Sequence, residues 1–265
     1  MKKTHLFAPG PTPVPPEALL SMALPILHHR TPEYEALFAE VREGLKGLFQ
    51  TAEEVLLFAA SGTGGMEAAV VNILSPGDRT LVIRGGKFGE RWGEICQAYD
   101  IDGVPIEVPY GKAVNPALVA AALERDPQIA AVFSTHSETS TGVLHDIEAI
   151  ARIVRKTPAL LVVDAITSLG VVDLPVDAWG LDVVVAGSQK ALMLPPGLTL
   201  VGVSRKAWAA VERARLPRYY FDFAAERTHL LKNQSRFTPA ISLVVGLQQT
   251  LRMIRTEGLA NIVRR

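Results

Sequence analysis

The 265-residue chain carries 27 basic (Lys and Arg) and 27 acidic side chains, so its formal net charge at pH 7 is zero. This balance gives no basic footprint for nucleic acid or for an acidic membrane surface, and neither partner is expected. The only cysteine, Cys96, excludes an internal disulfide and indicates a reducing compartment, so we expect a cytoplasmic protein.

The chain opens with a proline-rich segment. The apolar run in MKKTHLFAPGPTP is broken at once by Pro9, Pro11 and Pro13, which is not typical of a secretory signal. The sequence contains no run of about 18 apolar residues, so no membrane span is expected. We therefore expect residues 1–30 to form an extended segment, followed by a helix over 32–49 whose apolar residues recur at helical spacing.

Seven apolar runs after this helix predict β-strands. Most are continuously apolar rather than alternating, which is typical of strands covered on both faces. Helical patterns over 65–74, 87–99, 116–125 and 146–156 separate many of them, so the alternation predicts an α/β fold with a mostly parallel sheet and sites at the strand C-terminal ends. The predicted strands are 55–59, 80–84, 104–109, 129–134, 159–164, 181–186 and 198–204.

The last segment predicts a long amphipathic helix. Thr238 is the expected N-cap and Pro239 the first helical residue, and apolar residues from Ile241 to Ile254 recur on one face towards Arg265. We therefore divide the chain into the extended segment 1–30, a large domain over 31–240 and a connecting helix over 241–265.

Lys190 is the strongest candidate for chemistry. It follows the apolar strand 181–186 and a short polar turn in LDVVVAGSQKALMLPPG. A lysine at the end of a buried strand lies in a low-dielectric cleft, which lowers its pKa towards the range where the free amine reacts. Such an amine can form a Schiff base with an aldehyde, and pyridoxal phosphate is one such aldehyde.

A small, glycine-rich turn between a strand and a helix provides a candidate anion site. In LLFAASGTGGMEAAV, backbone amides around Gly62 lie at a helix N-terminus, and Ser61 and Thr63 add hydroxyl donors. Taken alone, the same pattern also fits an ordinary strand-to-helix turn.

Three further strand ends carry candidate ligands of a cofactor. Asp164 ends a very apolar strand, where a carboxylate needs a partner such as a protonated pyridine nitrogen, although a helix cap or ion pair would serve as well. Thr139 in FSTHSETSTG could hydrogen-bond a phenolic oxygen, and Phe88 in RGGKFGERW could stack on a ring or simply belong to the core. His136 and Glu138 are weaker candidates, and a structural role is favoured for His136.

Together these segments resemble the class V (subgroup IV) aminotransferases of fold type I, particularly the alanine–glyoxylate and serine–pyruvate aminotransferase group. The resemblance rests on SGTGGMEA, GKFGERW, HSETSTG, VVDAITSLG and GSQKALMLPPG, which occur in this order along nearly the whole chain. It implies a pyridoxal 5'-phosphate (PLP) cofactor on a seven-stranded, mostly parallel sheet, and a small C-terminal domain that carries the arginine for the substrate carboxylate. That arginine is expected beyond Arg265.

The resemblance also assigns roles to individual residues. Lys190 would hold PLP as a Schiff base, Asp164 would bind the pyridine nitrogen, and Thr139 the phenolic oxygen. Phe88 and Ile166 would cover the two faces of the ring, and PGPT (residues 9–12) would line the substrate side. The implied phosphate ligands are Ser61, Gly62, Thr63, Ser188 and Gln189, completed by Thr238 and Gln234 from the NQSRFTPA loop of a neighbouring subunit in a homodimer.

The implied activity is transfer of an amino group from alanine, serine or aspartate to a small 2-oxo acid such as glyoxylate or pyruvate. A cysteine desulfurase-like lyase on the same fold is one alternative, although Gln189 precedes the lysine where desulfurases usually have histidine, and Cys96 lies in a predicted helix. A non-catalytic subunit of a larger complex is the other alternative. A plain nucleotide-binding protein is not favoured, because the glycine-rich turn lacks the lysine of a P-loop.

Overall fold

A computed structural model describes residues 6–265, and its centre is a seven-stranded sheet. The sheet strands are β1 (Val55–Phe58), β2 (Arg79–Arg84), β3 (Asp102–Glu107), β4 (Ile129–Thr135), β7 (Leu160–Asp164), β8 (Val183–Gly187) and β9 (Thr199–Val203). All seven predicted strands are confirmed, with bounds shifted by at most about two residues. A small hairpin of β5 (Ser137–Glu138) and β6 (Val143–Leu144), which the sequence did not predict, follows β4.

The sheet is mostly parallel, as predicted. Its strand order is β1-β9-β8-β7-β4-β2-β3, and β9 alone runs antiparallel to both of its neighbours. The carboxyl ends of the other six strands therefore lie along one edge. The register places Asp164, the last residue of β7, between Thr135 of β4 and Val185 of β8.

Helices cover both faces and bury the apolar strands. β1, β7, β8 and β9 are buried along their whole length, whereas β3, at the edge, exposes Asp102 and Glu107. The helices are α1 (Pro16–Met22), α2 (Pro32–Phe49), α3 (Gly62–Ile73), α4 (Lys87–Ala98), α5 (Pro116–Arg125), α6 (Ile147–Val154), α7 (Val176–Trp179), α8 (Arg205–Val211), α9 (Phe223–Leu230), α10 (Ile241–Glu257) and α11 (Leu259–Arg264). Within residues 6–265, none of these helices has the length and apolar character that a membrane span needs.

The opening segment departs from its prediction. Residues 1–5 of this segment lie outside the described residues, and α1 occupies part of the remainder, so the expectation of a wholly extended chain over 1–30 is wrong. Pro16 stands at the first helical position, where its missing N–H costs nothing. The helix then packs on α10, where Met22 lies so close to Gly246 that a Cβ there would be 2.8 Å from Met22 Cγ.

The last segment also departs from its prediction. Helix α10 begins at Ile241 with Ala240 as N-cap, so Thr238 and Pro239 precede the helix and the expected Thr238 cap is wrong. The Ile241 N–H donates to Pro239 O at 2.9 Å, which forms a tight turn before the helix. Gly258, with φ of 86°, then separates α10 from α11, because a residue with positive φ cannot continue a right-handed α-helix.

Candidate active site

The predicted cofactor ligands converge at the carboxyl edge of the sheet. The segments after β1, β2, β4, β7 and β8 all begin there, because these five strands are parallel. Contacts between neighbouring segments join them into one cluster, described below.

The turn after β1 presents an open helix N-terminus. Ser61 is the N-cap of α3 but makes no side-chain cap bond, and the helix carries no acidic residue in its first turn. The first amides of α3 therefore remain available for an anion, as predicted for a phosphate. Gly62 approaches Ile166 closely, since a Cβ there would lie 2.4 Å from Ile166 Cδ1 and would require Ile166 or the turn to move. The contact joins this turn to the segment after β7.

Asp164 is a buried acid at the middle of the cluster. Its side chain is almost fully buried, and Oδ1 accepts a hydrogen bond from the Ile166 N–H at 2.9 Å. Burial raises its pKa to about 7, while the backbone bond from Ile166 and the positive charges of Arg91 and Lys190 act in the opposite direction. A positively charged ring nitrogen would favour the ionised form of this carboxyl.

Lys190 lies under the N-terminal segment. Its Nζ donates to Pro9 O at 3.4 Å, and a Cβ on Gly10 would lie only 2.4 Å from this nitrogen. Thr12 fixes the segment, because its hydroxyl donates to Lys190 O at 2.8 Å and its N–H donates to Gln189 O at 3.0 Å. Burial lowers the pKa of Lys190, and the charge of Asp164 partly offsets that shift. The pKa of Lys190 shifts in the predicted direction, and the PGPT segment lies against this lysine, while its place on the substrate side stays a prediction.

Phe88 is the second residue of α4 and is half-buried. The guanidinium of Arg91 lies over its ring, 4.8 Å from the ring centroid, and also donates to Thr63 Oγ1 at 3.1 Å. Arg91 therefore connects the predicted stacking ring to the predicted phosphate turn.

Thr139 approaches the segment after β7. Its Oγ1 lies 2.7 Å from Thr167 Oγ1, so the two hydroxyls share a hydrogen bond. Glu138, the preceding residue, is fully buried and accepts hydrogen bonds from the backbone of α4. His136 is buried and uncharged at neutral pH, because burial lowers its pKa to about 4, in keeping with a structural role.

Ser188 and Gln189 differ in what they can offer a ligand. The Ser188 hydroxyl donates to Pro195 O at 2.8 Å and accepts from the Leu198 N–H at 3.1 Å, so it shapes the loop between β8 and β9. The buried Oε1 of Gln189 has no hydrogen-bond partner within residues 6–265. Its amide therefore keeps hydrogen-bonding capacity for a ligand.

The two residues predicted to serve a neighbouring subunit lie in one loop. Gln234 is engaged within its own chain, since it accepts from Arg30 Nη1 at 2.8 Å and donates to Glu35 Oε1 at 2.7 Å. Thr238 is exposed. Their roles towards a second subunit remain predictions.

Sequence reasoning missed Arg91 and Thr167 and did not assign Glu138. The spacing of Phe88 and Arg91 on a helix, three residues apart, was the available signal for their contact. The contact of Thr167 with Thr139 and that of Glu138 with α4 had no such signal, because these partners are distant in sequence.

The residues at this edge of the sheet fit PLP. They combine an anion cradle at α3, a buried acid for the pyridine nitrogen and an amine with a lowered pKa for the aldehyde. The described part of the chain contains no cluster of side chains that could hold a metal ion.

The cysteine does not fit a desulfurase. Cys96 lies on α4, is fully buried, and burial raises the pKa of its thiol to about 11. A nucleophilic cysteine requires a lowered pKa and access to substrate, so the desulfurase alternative is not favoured.

Comparison with known proteins finds aminotransferases among the similar proteins, together with a relative that carries a different name. The chain is 42% identical over 265 residues to the L-aspartate–glyoxylate aminotransferase of Paracoccus denitrificans, covering 98% of this chain and 67% of that protein. It is 48% identical over 266 residues to a protein of Synechococcus sp. named soluble hydrogenase, small subunit, covering 99% of this chain and 69% of that protein. The crystal structure of a subgroup IV aspartate aminotransferase from Thermus thermophilus superposes with a TM-score of 0.91 at 38% identity, covering 98% of this chain and 73% of that one.

The family model for aminotransferase class-V matches residues 6–265, the whole described part of the chain. With a buried acid, a lysine of lowered pKa and an open helix N-terminus brought to one sheet edge, the chain belongs to the PLP-dependent class-V aminotransferases.

Proposed function

We propose that this chain transfers the amino group of a small amino acid (alanine, serine or aspartate) to a small 2-oxo acid such as glyoxylate or pyruvate. The observation that carries the proposal is the position of Lys190 beneath the N-terminal segment, with Pro9 O at 3.4 Å from its amine. Gly10 packs directly against the amine, which leaves little space on that side and favours small substrates. The similarity to an L-aspartate–glyoxylate aminotransferase supports the same substrate class.

Different residues of the chain have different roles in the proposed reaction. Bound PLP supplies an electron sink for the bonds at the substrate Cα. Lys190 would hold the cofactor through its amine and, as a free amine, would move the proton at the substrate Cα as general base and acid. Asp164 would keep the pyridine nitrogen protonated, and the α3 amides with Ser61 and Thr63 would bind the phosphate.

A single-turnover experiment tests the reaction class and the donor together. Protein loaded with PLP is mixed with one amino acid at a time and no acceptor, and the 2-oxo acid released is quantified. We expect about one equivalent per site from one of the three donors, and a second turnover only after glyoxylate or pyruvate is added. Failure of all three donors, under conditions where PLP is bound, would contradict the proposal.

We also propose that the functional unit is a homodimer with shared active sites. The N-terminal region exposes a group of large apolar side chains, among them Leu20, Leu24 and Ile26, and such groups are typical of protein interfaces. Tyr219, 73% exposed, adds an aromatic side chain beside the loop that carries Thr238, since Arg236 lies over its ring. Light scattering is expected to give twice the 28.6 kDa chain mass.

For the cellular location we propose the cytoplasm. The support is that Cys96, the only cysteine of the chain, is a free, buried thiol, which suits a reducing compartment. The location of a fluorescent fusion in cells would test this.

A non-catalytic role in a larger complex is not favoured, because Lys190, Asp164 and the open N-terminus of α3 are brought together at one edge of the sheet.

A further inference from the structure

Glu138 has an unusual environment for a carboxylate beside an active site. Its side chain is fully buried, and all of its hydrogen bonds come from two segments. Oε2 accepts from the N–H groups of Phe88 at 3.1 Å and Gly89 at 3.0 Å, at the start of α4. Oε1 accepts from the N–H and hydroxyl of Ser140 at 3.2 and 2.6 Å.

These bonds make Glu138 the cap of a helix to which it does not belong. The N-cap of α4 is Gly86, which has no side chain to bind the first amides. The Glu138 carboxylate takes that place, and its negative charge is favoured at a helix N-terminus. Gly86 leaves the necessary space, because a Cβ there would lie 2.5 Å from Glu138 Cδ.

The same bonds join three candidate cofactor ligands. Glu138 binds the backbone of Phe88 directly and is followed in the chain by Thr139. The hydroxyl of Thr139 bonds to that of Thr167, which lies in the segment after Asp164. A continuous path of hydrogen bonds and short backbone links therefore runs from the stacking ring to the acid of the cofactor site.

We propose that Glu138 is a positioning residue of the PLP site, which sets Phe88 and Thr139 relative to each other by binding the N-terminus of α4 to the β5–β6 turn. Its charge also bears on the site, because it favours the protonated form of Asp164. The inference rests on the proposed role of this cluster in binding PLP.

Glu138→Gln tests the proposal with little change in shape. The amide has only one acceptor oxygen, and its NH2 group would meet the N–H donors of α4 or of Ser140. In the apoprotein, we expect hydrogen exchange at the Phe88 and Gly89 amides to accelerate at least tenfold. In the loaded protein, we expect PLP affinity to fall by roughly 10- to 100-fold and the visible circular dichroism of bound PLP to weaken, since that signal reports how the ring is held.

Glu148→Gln is the matched control, because Glu148 is a half-buried residue of α6 whose carboxylate forms an i,i+4 ion pair with Arg152 at 2.8 Å. It should leave hydrogen exchange at Phe88 and Gly89, PLP affinity and the visible circular dichroism unchanged. Ser140→Ala provides a second test if Glu138→Gln does not fold. The Ser140 hydroxyl donates to Glu138 and accepts from the Lys87 N–H at 3.0 Å, so its loss should weaken PLP binding several-fold and accelerate exchange at Lys87.

The outcomes separate this inference from the assignment of the site. If the wild-type protein does not bind PLP, the proposed function is contradicted, whatever the exchange data show. If the wild-type protein binds PLP, and Glu138→Gln accelerates exchange yet keeps wild-type affinity and dichroism, Glu138 is only a helix cap and the inference is overturned. Wild-type affinity and dichroism in Ser140→Ala would overturn it equally if Glu138→Gln cannot be obtained.

Discussion

The carboxyl of Asp164 and the amine of Lys190 each favour the charged form of the other, although burial opposes both charges. Burial raises the pKa of Asp164 to about 7 and lowers that of Lys190, and the attraction between the two partly offsets both shifts. Ligand charge can therefore change the protonation of Asp164 near neutral pH and shift the pKa of Lys190.

Lys190→Ala is expected to abolish covalent attachment of PLP and to lower turnover by roughly 10²- to 10⁴-fold or more, since both the anchor and the proton carrier are lost. Borohydride reduction followed by mass spectrometry of the peptides measures the attachment. Lys112→Ala is the control, because Lys112 is exposed. A reducible PLP adduct that persists in Lys190→Ala would show that another amine holds the cofactor.

Asp164→Asn should keep the fold and lose most of the activity. An asparagine can still accept the Ile166 N–H bond, but it cannot hold the pyridine nitrogen protonated. The half-reaction rate with each amino donor measures the effect at saturating PLP. Near-wild-type rates would show that Asp164 is a structural acid.

The same substitution should change how stability depends on pH. The folded-state pKa of Asp164, about 7, exceeds the ordinary value of 3.8, so between these values the folded apoprotein binds one more proton than the unfolded chain. Its free energy of unfolding therefore falls as pH rises through this range, by up to about 4 kcal/mol from this group. Urea unfolding at pH 5 and pH 8 should show a smaller fall in Asp164→Asn. Equal falls in both proteins would contradict the raised pKa.

The sheet could be predicted from the sequence because most of its strands are continuous apolar runs. Such short runs are typical of strands buried on both faces. The short hairpin of β5 and β6 could not be predicted, since two-residue strands leave no periodic signal. Helix α1 was not predicted because the segment around it is rich in proline. The start of α10 was misplaced because Thr238 and Pro239 have the residue types of an N-cap and a first helical residue, whereas the helix begins after Ala240. Local sequence patterns did not predict these elements, because their backbone conformation depends on packing against distant residues.

Some residues of the site could be predicted from the sequence, whereas the contacts between them could not. Strand ends located Asp164 and Lys190, because burial makes an ionisable residue there conspicuous. The contacts between segments, such as that of Gly62 with Ile166, depend on distances across the sheet edge and needed the structure. The homodimer and the role of Thr238 were suggested by family resemblance, and a single chain leaves them as predictions.

Gly62→Ala should weaken PLP binding strongly while the protein still folds. The new Cβ would lie 2.4 Å from Ile166 Cδ1, so either the phosphate turn or Ile166 must move. Fluorescence titration of the apoprotein with PLP measures the change. Gly93→Ala in α4 is the control, because its Cβ would meet no atom within 4 Å, and it should leave affinity unchanged while stabilising the protein by about 0.5–1 kcal/mol. Equal affinities in the two variants would contradict the prediction and show that Ile166 moves while the phosphate turn stays in place.

Thr238→Ala should reveal whether two chains share each site. A hydroxyl bond to a phosphate is worth roughly 1.5–3 kcal/mol, so PLP affinity should fall by about one to two decades.

Thr238→Ala is mixed with Lys190→Ala, at a PLP concentration that saturates the wild-type protein but not Thr238→Ala. In a mixed dimer with shared sites, the chain that keeps Lys190 receives an intact Thr238 from its partner, so activity should exceed that of either variant alone. If Thr238 serves its own chain, that site still lacks the hydroxyl and mixing restores nothing. Unchanged PLP affinity in Thr238→Ala would instead show that this hydroxyl does not bind the phosphate of either chain.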